Sequence, residues 1–243
     1  MKRFVALCAS VCLYLISSGQ PIEPRGNSRV LLIPYAPAMH LSMVDAELSM
    51  GSGMDIGEVR ETFRNNLLRS LNTAMVGDRQ VDVLKSDHVA AEDGSDQLIY
   101  HSLYYQQDTI WPMKFRGLDS LLKKKVSYTI KNKLRPVEKA YINIGFHDQR
   151  LLGELAENYQ ADVFLFLNEF EIKDNFKDCM DLAGEVHDRE VRVHYSVFDR
   201  SGKQLYGDVA VAHIWSNVND VEAVMRSTFP SITDYILASI PGR

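Results

Sequence analysis

Cysteine is scarce: the 243 residues hold three, Cys8, Cys12 and Cys179. The first two fall in an amino-terminal stretch that reads as a leader. Once it is removed, Cys179 stands alone and cannot close an intramolecular disulfide, which excludes a disulfide-stapled scaffold. Cys179 also lies between Asp178 and Asp181, whose carboxylates disfavour a thiolate, the reverse of an activated nucleophile. The usual chemical signatures are missing too. There is no Gly-x-Ser-x-Gly, no phosphate-cradling glycine loop, no His-Glu-x-x-His and no Cys-x-x-Cys. The expectation is therefore a chain that is not an enzyme and needs no cofactor. The amino-terminal apolar run, Phe4 to Ile16, is short of the roughly 20 residues a helix needs to cross a bilayer.

What that run does carry is the layout of a secretory signal peptide. Lys2 and Arg3 precede it and the small, polar Ser17-Ser-Gly-Gln20 follows it. Neither Cys8 nor Cys12 stands in a lipidation context. The organisation expected is a signal peptide over residues 1–20, a Pro- and Gly-containing tether over 21–28, and one α/β domain over 29–243 with an insert at about 85–148. Loss of Lys2 and Arg3 moves the formal charge from −5 to −7. An acidic exported chain without disulfides suits a bacterial periplasm, and its charge argues against generic nucleic-acid binding.

The stretch that organises the domain is Ala161 to Glu171. Val163 to Leu167 are five apolar residues in a row, which fits a strand covered on both faces. Beyond Asn168 the pattern alternates, Phe170 and Ile172 against Glu169, Glu171 and Lys173, so one face should be open there. Arg29 to Tyr35 reads as a neighbouring strand ended by Pro34 and Pro37. A loop with Met39, Met43, Met50 and Met54 follows. Asp55 caps a helix from Ile56 to Met75, with Val59, Phe63, Leu67 and Leu71 on its apolar stripe. Val81 to Leu84 is a short strand, Tyr141 to Gly145 another, and Gln149 to Tyr159 a helix. Arg189 to Phe198 alternates as a strand with a wet face carrying Arg192, His194 and Ser196. Asp199-Arg-Ser-Gly202 turns it into a return strand, Gln204 to Trp215. A final helix, capped by Asn217 or Asn219, should be kinked or split at Pro230. The fold class is thus α/β: one mixed sheet with a parallel strand–helix–strand unit, a carboxy-terminal antiparallel hairpin, and helices packed on the sheet.

Three groups of residues are candidates for function. Between Lys114 and Lys139 lie nine basic residues and two acids, a net +7 against −14 for the rest of the mature chain. Lys114, Arg116, Lys123, Lys124, Lys125, Lys131, Lys133 and Arg135 form a basic segment suited to an anionic membrane surface or an acidic partner. The same pattern also suits a solvated lysine face, and the segment reads equally as helix or strand. Tyr100, Tyr104 and Tyr105 share one side if Gln97 to Gln107 is a short helix, an aromatic patch able to stack on a sugar or to pack half-buried. His187 and His213 sit opposite each other, beside Asp188, if the hairpin pairs residues whose numbers sum to about 400. That would be a metal site, against the plainer reading of surface histidines with no metal.

Val30-Leu-Leu-Ile-Pro34, Phe63 to Leu71, Leu151-Leu-Gly-Glu-Leu-Ala156 and Ala161-Asp-Val-Phe-Leu-Phe166 together resemble a family of bacterial envelope domains. Its members include the curli secretion lipoprotein CsgG, the penicillin-binding-protein activator LpoB and the amino-terminal domain of TolB. The chain departs from that pattern at Asn168, where the family often has glycine, and in its long insert. The resemblance supports the fold and an envelope compartment; taken with the missing catalytic signatures and the basic segment, the expectation is an exported, non-catalytic envelope module that binds a partner and assists assembly or secretion. Its partner would be an envelope protein, an anionic lipid surface or an envelope polymer, with homo-oligomerisation as a further expectation. The alternatives are a metal-assisted hydrolase using His187 and His213, or a subunit of an oligomeric envelope assembly.

Overall fold

The structure is a computed structural model and describes residues 28–76, 80–84, 99–110, 139–175 and 186–240. The expected signal peptide, the basic segment between Ile110 and Lys139, and Cys179 lie outside the described residues.

The main sheet is mixed. Its strands are β1 (Val30–Ile33), β2 (His40–Ser42), β3 (Val81–Val83), β6 (Val163–Asn175), β7 (Asp188–Asp199) and β8 (Gln204–Trp215). They run in the order β3-β1-β6-β7-β8, and β2 also pairs with β6. β1 and β2 are parallel to β6 and take successive parts of it, at Val163–Phe166 and at Phe170–Ile172. β7 and β8 are antiparallel. A separate two-stranded sheet pairs β4 (Leu103–Ile110) with β5 (Lys139–Phe146). The helices are α1 (Asp45–Ser52), α2 (Ile56–Met75), α3 (Leu151–Tyr159) and α4 (Val221–Leu237).

β6 is the spine. The side chains of Val163, Leu165 and Leu167 enter a core with α1, α2 and α4, while Phe164 and Phe166 enter a second core with α3 and the β4–β5 hairpin. Burial of five large apolar side chains in this stretch contributes roughly 7–15 kcal/mol before chain entropy, an upper bound. Aromatic rings fill both cores. Phe63 stacks on Phe170 at 5.3 Å, and Phe166 meets Phe198 edge-on at 5.8 Å.

Local chemistry sets the ends of the elements. The Asp55 carboxylate accepts from the Glu58 amide and the Glu58 side chain accepts from the Asp55 amide, a reciprocal cap that starts α2. α4 is capped by Asp220, not by Asn217 or Asn219. It runs through Pro230 as one helix, because Pro230 lies on the exposed side, where water can satisfy the carbonyl it leaves unpaired. The methionine-bearing stretch is not a bare loop. It holds a turn of 3-10 helix, β2 and α1; Met39 and Met54 pack against the core, while Met43 and Met50 are exposed.

Candidate functional site

The hairpin lies across the sheet face that the sequence pattern leaves open. Leu103, Tyr105, Ile144 and Phe146 of the hairpin pack with Phe166 and Phe198. Further along β5, apolar contact gives way to a polar seam. Its centre is Asn168, at a β-bulge where the β6–β7 register shifts between Leu167 and Glu169. Asn168 Nδ2 donates to the Ile142 carbonyl at 2.7 Å and to Ser196 Oγ at 2.8 Å. Ser196 Oγ donates to Asn143 Oδ1 at 2.7 Å. Asn143 Nδ2 donates onward to Asp108 Oδ2 and Gln204 Oε1, and Gln204 Nε2 donates to the Tyr141 hydroxyl. His194 and Ser196, expected on a wet face, are 3% and 0% exposed because β5 crosses directly over them.

One end of the seam is ionisable. His194 Nδ1 accepts the Ile142 amide hydrogen at 2.9 Å, and its Nε2 faces Glu169 Oε1 at 3.6 Å and Glu171 Oε2 at 4.0 Å. Those two separations are charge–dipole approaches, too long for hydrogen bonds. Burial pushes the Glu169 carboxyl up. Glu171 is held down at about 2 by the His194 ring edge and by Lys173 and Arg192, with burial opposing.

Glu169, Glu171 and His194 converge closely enough to suggest a metal site. The tautomer excludes it. A ring nitrogen that accepts an amide hydrogen offers a lone pair, so the neutral ring carries its proton on Nε2, the atom that would have to ligate. The other convergence is Asp188, Glu190 and His213, on the wet side of β7 and β8. There His213 Nδ1 lies 2.8 Å from Asp188 Oδ2, and Glu190 accepts from Asn175 Nδ2 at 3.0 Å.

Of the sequence-predicted site residues, His213 and Asp188 meet, but His187 does not join them. Paired numbers on β7 and β8 sum to 403, as in Glu190 with His213, an odd slip from 400. An odd slip reverses the face. His187 turns to Asp174, 3.1 Å away, while His213 turns to Asp188. The tyrosines do not form one patch either. Residues 103–110 are strand rather than helix, so Tyr104 and Tyr105 point to opposite faces. Tyr104 is 41% exposed beside His147, and Tyr105 packs on the second core, where burial raises its hydroxyl to about 12. Tyr100 accepts from Arg64 Nη2 and donates to the Pro34 carbonyl, a structural role.

Two further features carry no sequence signature. Tyr35, His40, Asp45 and Arg60 form a chain of contacts: Tyr35 hydroxyl to His40 Nδ1 at 3.3 Å, His40 Nε2 to Asp45 at 3.2 Å, Arg60 Nε to Asp45 at 2.6 Å. Tyr35, His40 and Asp45 are buried, so this chain braces the β1–α1 connection. A shallow groove of about 570 Å³ separates α2 from α4, with Arg69, Arg226, Phe229 and Asp234 among its lining.

No family model matches the chain. No curated protein matches it either. Solved structures with a similar path include the PelC dodecamer from Paraburkholderia phytofirmans, at 10% identity over 90% of this chain and 92% of that one, TM-score 0.36. The lipoprotein GNA1162 from Neisseria meningitidis matches at 11% identity over 87% and 99%, TM-score 0.36. The hypothetical protein CT253 from Chlamydia trachomatis matches at 11% over 86% and 95%, TM-score 0.38. Likeness at this level carries no functional argument.

Proposed function

We propose that this chain is an exported, non-catalytic module of the bacterial envelope, of the CsgG, LpoB and TolB amino-terminal type, that binds its partner through the basic segment Lys114 to Arg135. The observation that carries the reading is the charge partition, a net +7 between Lys114 and Lys139 in a chain whose total is −5. The geometry supports it in one respect. Ile110 and Lys139 are paired residues, so the segment is the connection of a hairpin whose body is fixed on the sheet. A fixed root with a cationic connection suits an anionic lipid surface or an acidic face on an envelope protein or polymer.

Reversal of Lys123, Lys124 and Lys125 to Glu tests this. Co-sedimentation with vesicles containing anionic lipid, and capture of partners from native envelope extracts, should both fall to background while the unfolding midpoint stays put. Recruitment equal to wild type would end the reading.

One observation favours a second reading, a subunit of an oligomeric envelope assembly. β8 is a twelve-residue strand with a strand neighbour on one side only among the described residues. A long open edge is a template for pairing with another chain. The mass of the protein in solution separates the two readings.

A further inference from the structure

The Ile142 amide and the His194 ring meet where the hairpin crosses the sheet, and their hydrogen bond exists in one protonation state only. His194 Nδ1 must be bare to accept at 2.9 Å. Its Nε2 is buried without a hydrogen-bond partner. The residue facing that nitrogen most closely is Glu169, also buried, whose one ion contact among the described residues is His194.

We propose that His194 is a proton-operated clasp: the neutral ring holds β5 to the sheet, and a proton added at Nδ1 releases it. The added hydrogen would point at the Ile142 N–H, so an acceptor becomes a donor facing a donor. The bond is lost and replaced by repulsion. The imidazolium so formed stays beside the Glu169 and Glu171 carboxylates. No bond other than N–H forms or breaks, and the proton comes from solvent.

The charges around the ring fix the direction. From β6 it faces Glu169 and Glu171, and Lys173 of β6 and Arg192 of β7 reach the region through Glu171. Glu171 is already shared between Lys173 at 3.3 Å and Arg192 at 3.2 Å, so Glu169 is the acid that gains most when the ring becomes positive. β5 brings the uncharged Tyr141 and Asn143 to this region. Asp108 of β4 is joined to Asn143, one step removed from the ring. On β8 the partner of His194 is Val209, and Asp208 is engaged by the Tyr206 and Tyr235 hydroxyls. The clasped state binds fewer protons at His194 than the released state, so acidification favours release. Ile142 is close to Lys139, where the basic segment ends. A change in how that segment is presented to its partner rests on the function proposed above; the clasp itself does not.

The test is nuclear magnetic resonance on the full chain at pH of about 7.5 and about 5. Ring ¹⁵N shifts report which nitrogen of His194 is bare, and hydrogen exchange of the Ile142 amide, corrected for its intrinsic pH dependence, reports the clasp. Expected at the higher pH are a bare Nδ1 and a protected Ile142. At the lower pH both ring nitrogens are protonated and protection falls about tenfold or more. His194→Asn keeps an acceptor oxygen but does not titrate, so its protection should be equal at both pH values. Glu169→Gln should move the release to lower pH. A protonated Nδ1 at the higher pH, wild-type protection that survives acidification, or an equal loss in His194→Asn would overturn the clasp. If His194→Asn does not fold, the wild-type ring shifts and Ile142 protection decide alone. Neither readout involves vesicle or partner binding, so failure of the basic-segment reading leaves this result standing.

Discussion

Arg189 of β7 crosses to Asp174 of β6, Nε to Oδ1 at 2.8 Å, with its guanidinium only 2% exposed. The same side chain donates to Asn219 Oδ1 at 3.0 Å and to Glu47 Oε2 at 2.9 Å. One buried cation therefore joins two strands, α1 and the start of α4. Its charge is balanced by Asp174 and Glu47, and removing it leaves Asp174, 14% exposed, without its charged partner and with the His187 ring at 3.1 Å. Arg189→Met should cost about 3 kcal/mol or more, read from urea unfolding. Arg189→Lys should recover only part of that, because an ammonium lacks the planar fork that reaches three partners. A wild-type midpoint in Arg189→Met would show that the junction contributes nothing.

Two glycines at the carboxy-terminal end of α1, Gly51 within it and Gly53 just after it, separate packing from conformation. Gly51 lies so close to the Asn219 carbonyl that any Cβ would collide with main chain, which cannot swing aside. Gly51→Ala should destabilise by about 1–3 kcal/mol through overpacking. Gly53 has open space around it, but a φ of 69°. Gly53→Ala should cost about 1 kcal/mol from the left-handed backbone alone. Thermal unfolding of the two variants, side by side, checks the ranking.

Asp45 gives the fold an acid limit. Burial would raise its carboxyl, but hydrogen bonds from His40 and Arg60 outweigh burial and hold it at about 2, below the ordinary 3.8. A carboxylate held below its unfolded value contributes stability above that value and loses it as pH falls through the folded one. The contribution, about 2 kcal/mol, is therefore complete above about pH 5 and fades from about pH 4 to about pH 2. Asp45→Asn should lower stability at neutral pH and flatten its dependence over that window. Parallel slopes for wild type and Asp45→Asn in urea unfolding against pH would remove Asp45 from the account.

Much of the scaffold was legible because the responsible signals are local. The Asp55 and Glu58 cap stands next to a clean apolar stripe, and α2 spans Ile56–Met75 as read. Val163 to Leu167 has no polar residue to place on a wet face, and it is the spine. Residues 97–107 misled because tyrosines spaced four and one apart fit a helix face and a strand about equally. Pairing with β5 decided for strand, and nothing near Tyr104 announces that pairing. The His187–His213 idea failed on register, which a turn of uncertain geometry leaves free by a few residues. The polar seam was the least legible part. Asn143, Asn168 and Ser196 come from three strands and make no local pattern. The one hint was a small hydroxyl and an amide set among residues otherwise suited to burial.

That seam yields the last prediction. Ser196 accepts from Asn168 and donates to Asn143, and it is fully buried. Ser196→Ala leaves Asn143 Oδ1 without that donor and Asn168 Nδ2 with only the Ile142 carbonyl, in a place water does not readily reach. The expected cost is about 1–3 kcal/mol, above that of an ordinary surface hydroxyl. Because one relay is shared, Asn168→Ala and Ser196→Ala should not add. The double variant should fall short of the summed losses by about 0.5 kcal/mol or more, measured as a double-mutant cycle in urea. The backbone bonds of β4 to β5 do not involve Ser196, so pairing within the hairpin should persist while its docking weakens. Hydrogen exchange separates the two: Ile142 and Ile144 amides, held by His194 and Asn143, should lose protection before the amides paired between β4 and β5. Equal loss across the whole hairpin would mean that the seam does not hold it as a unit on the sheet.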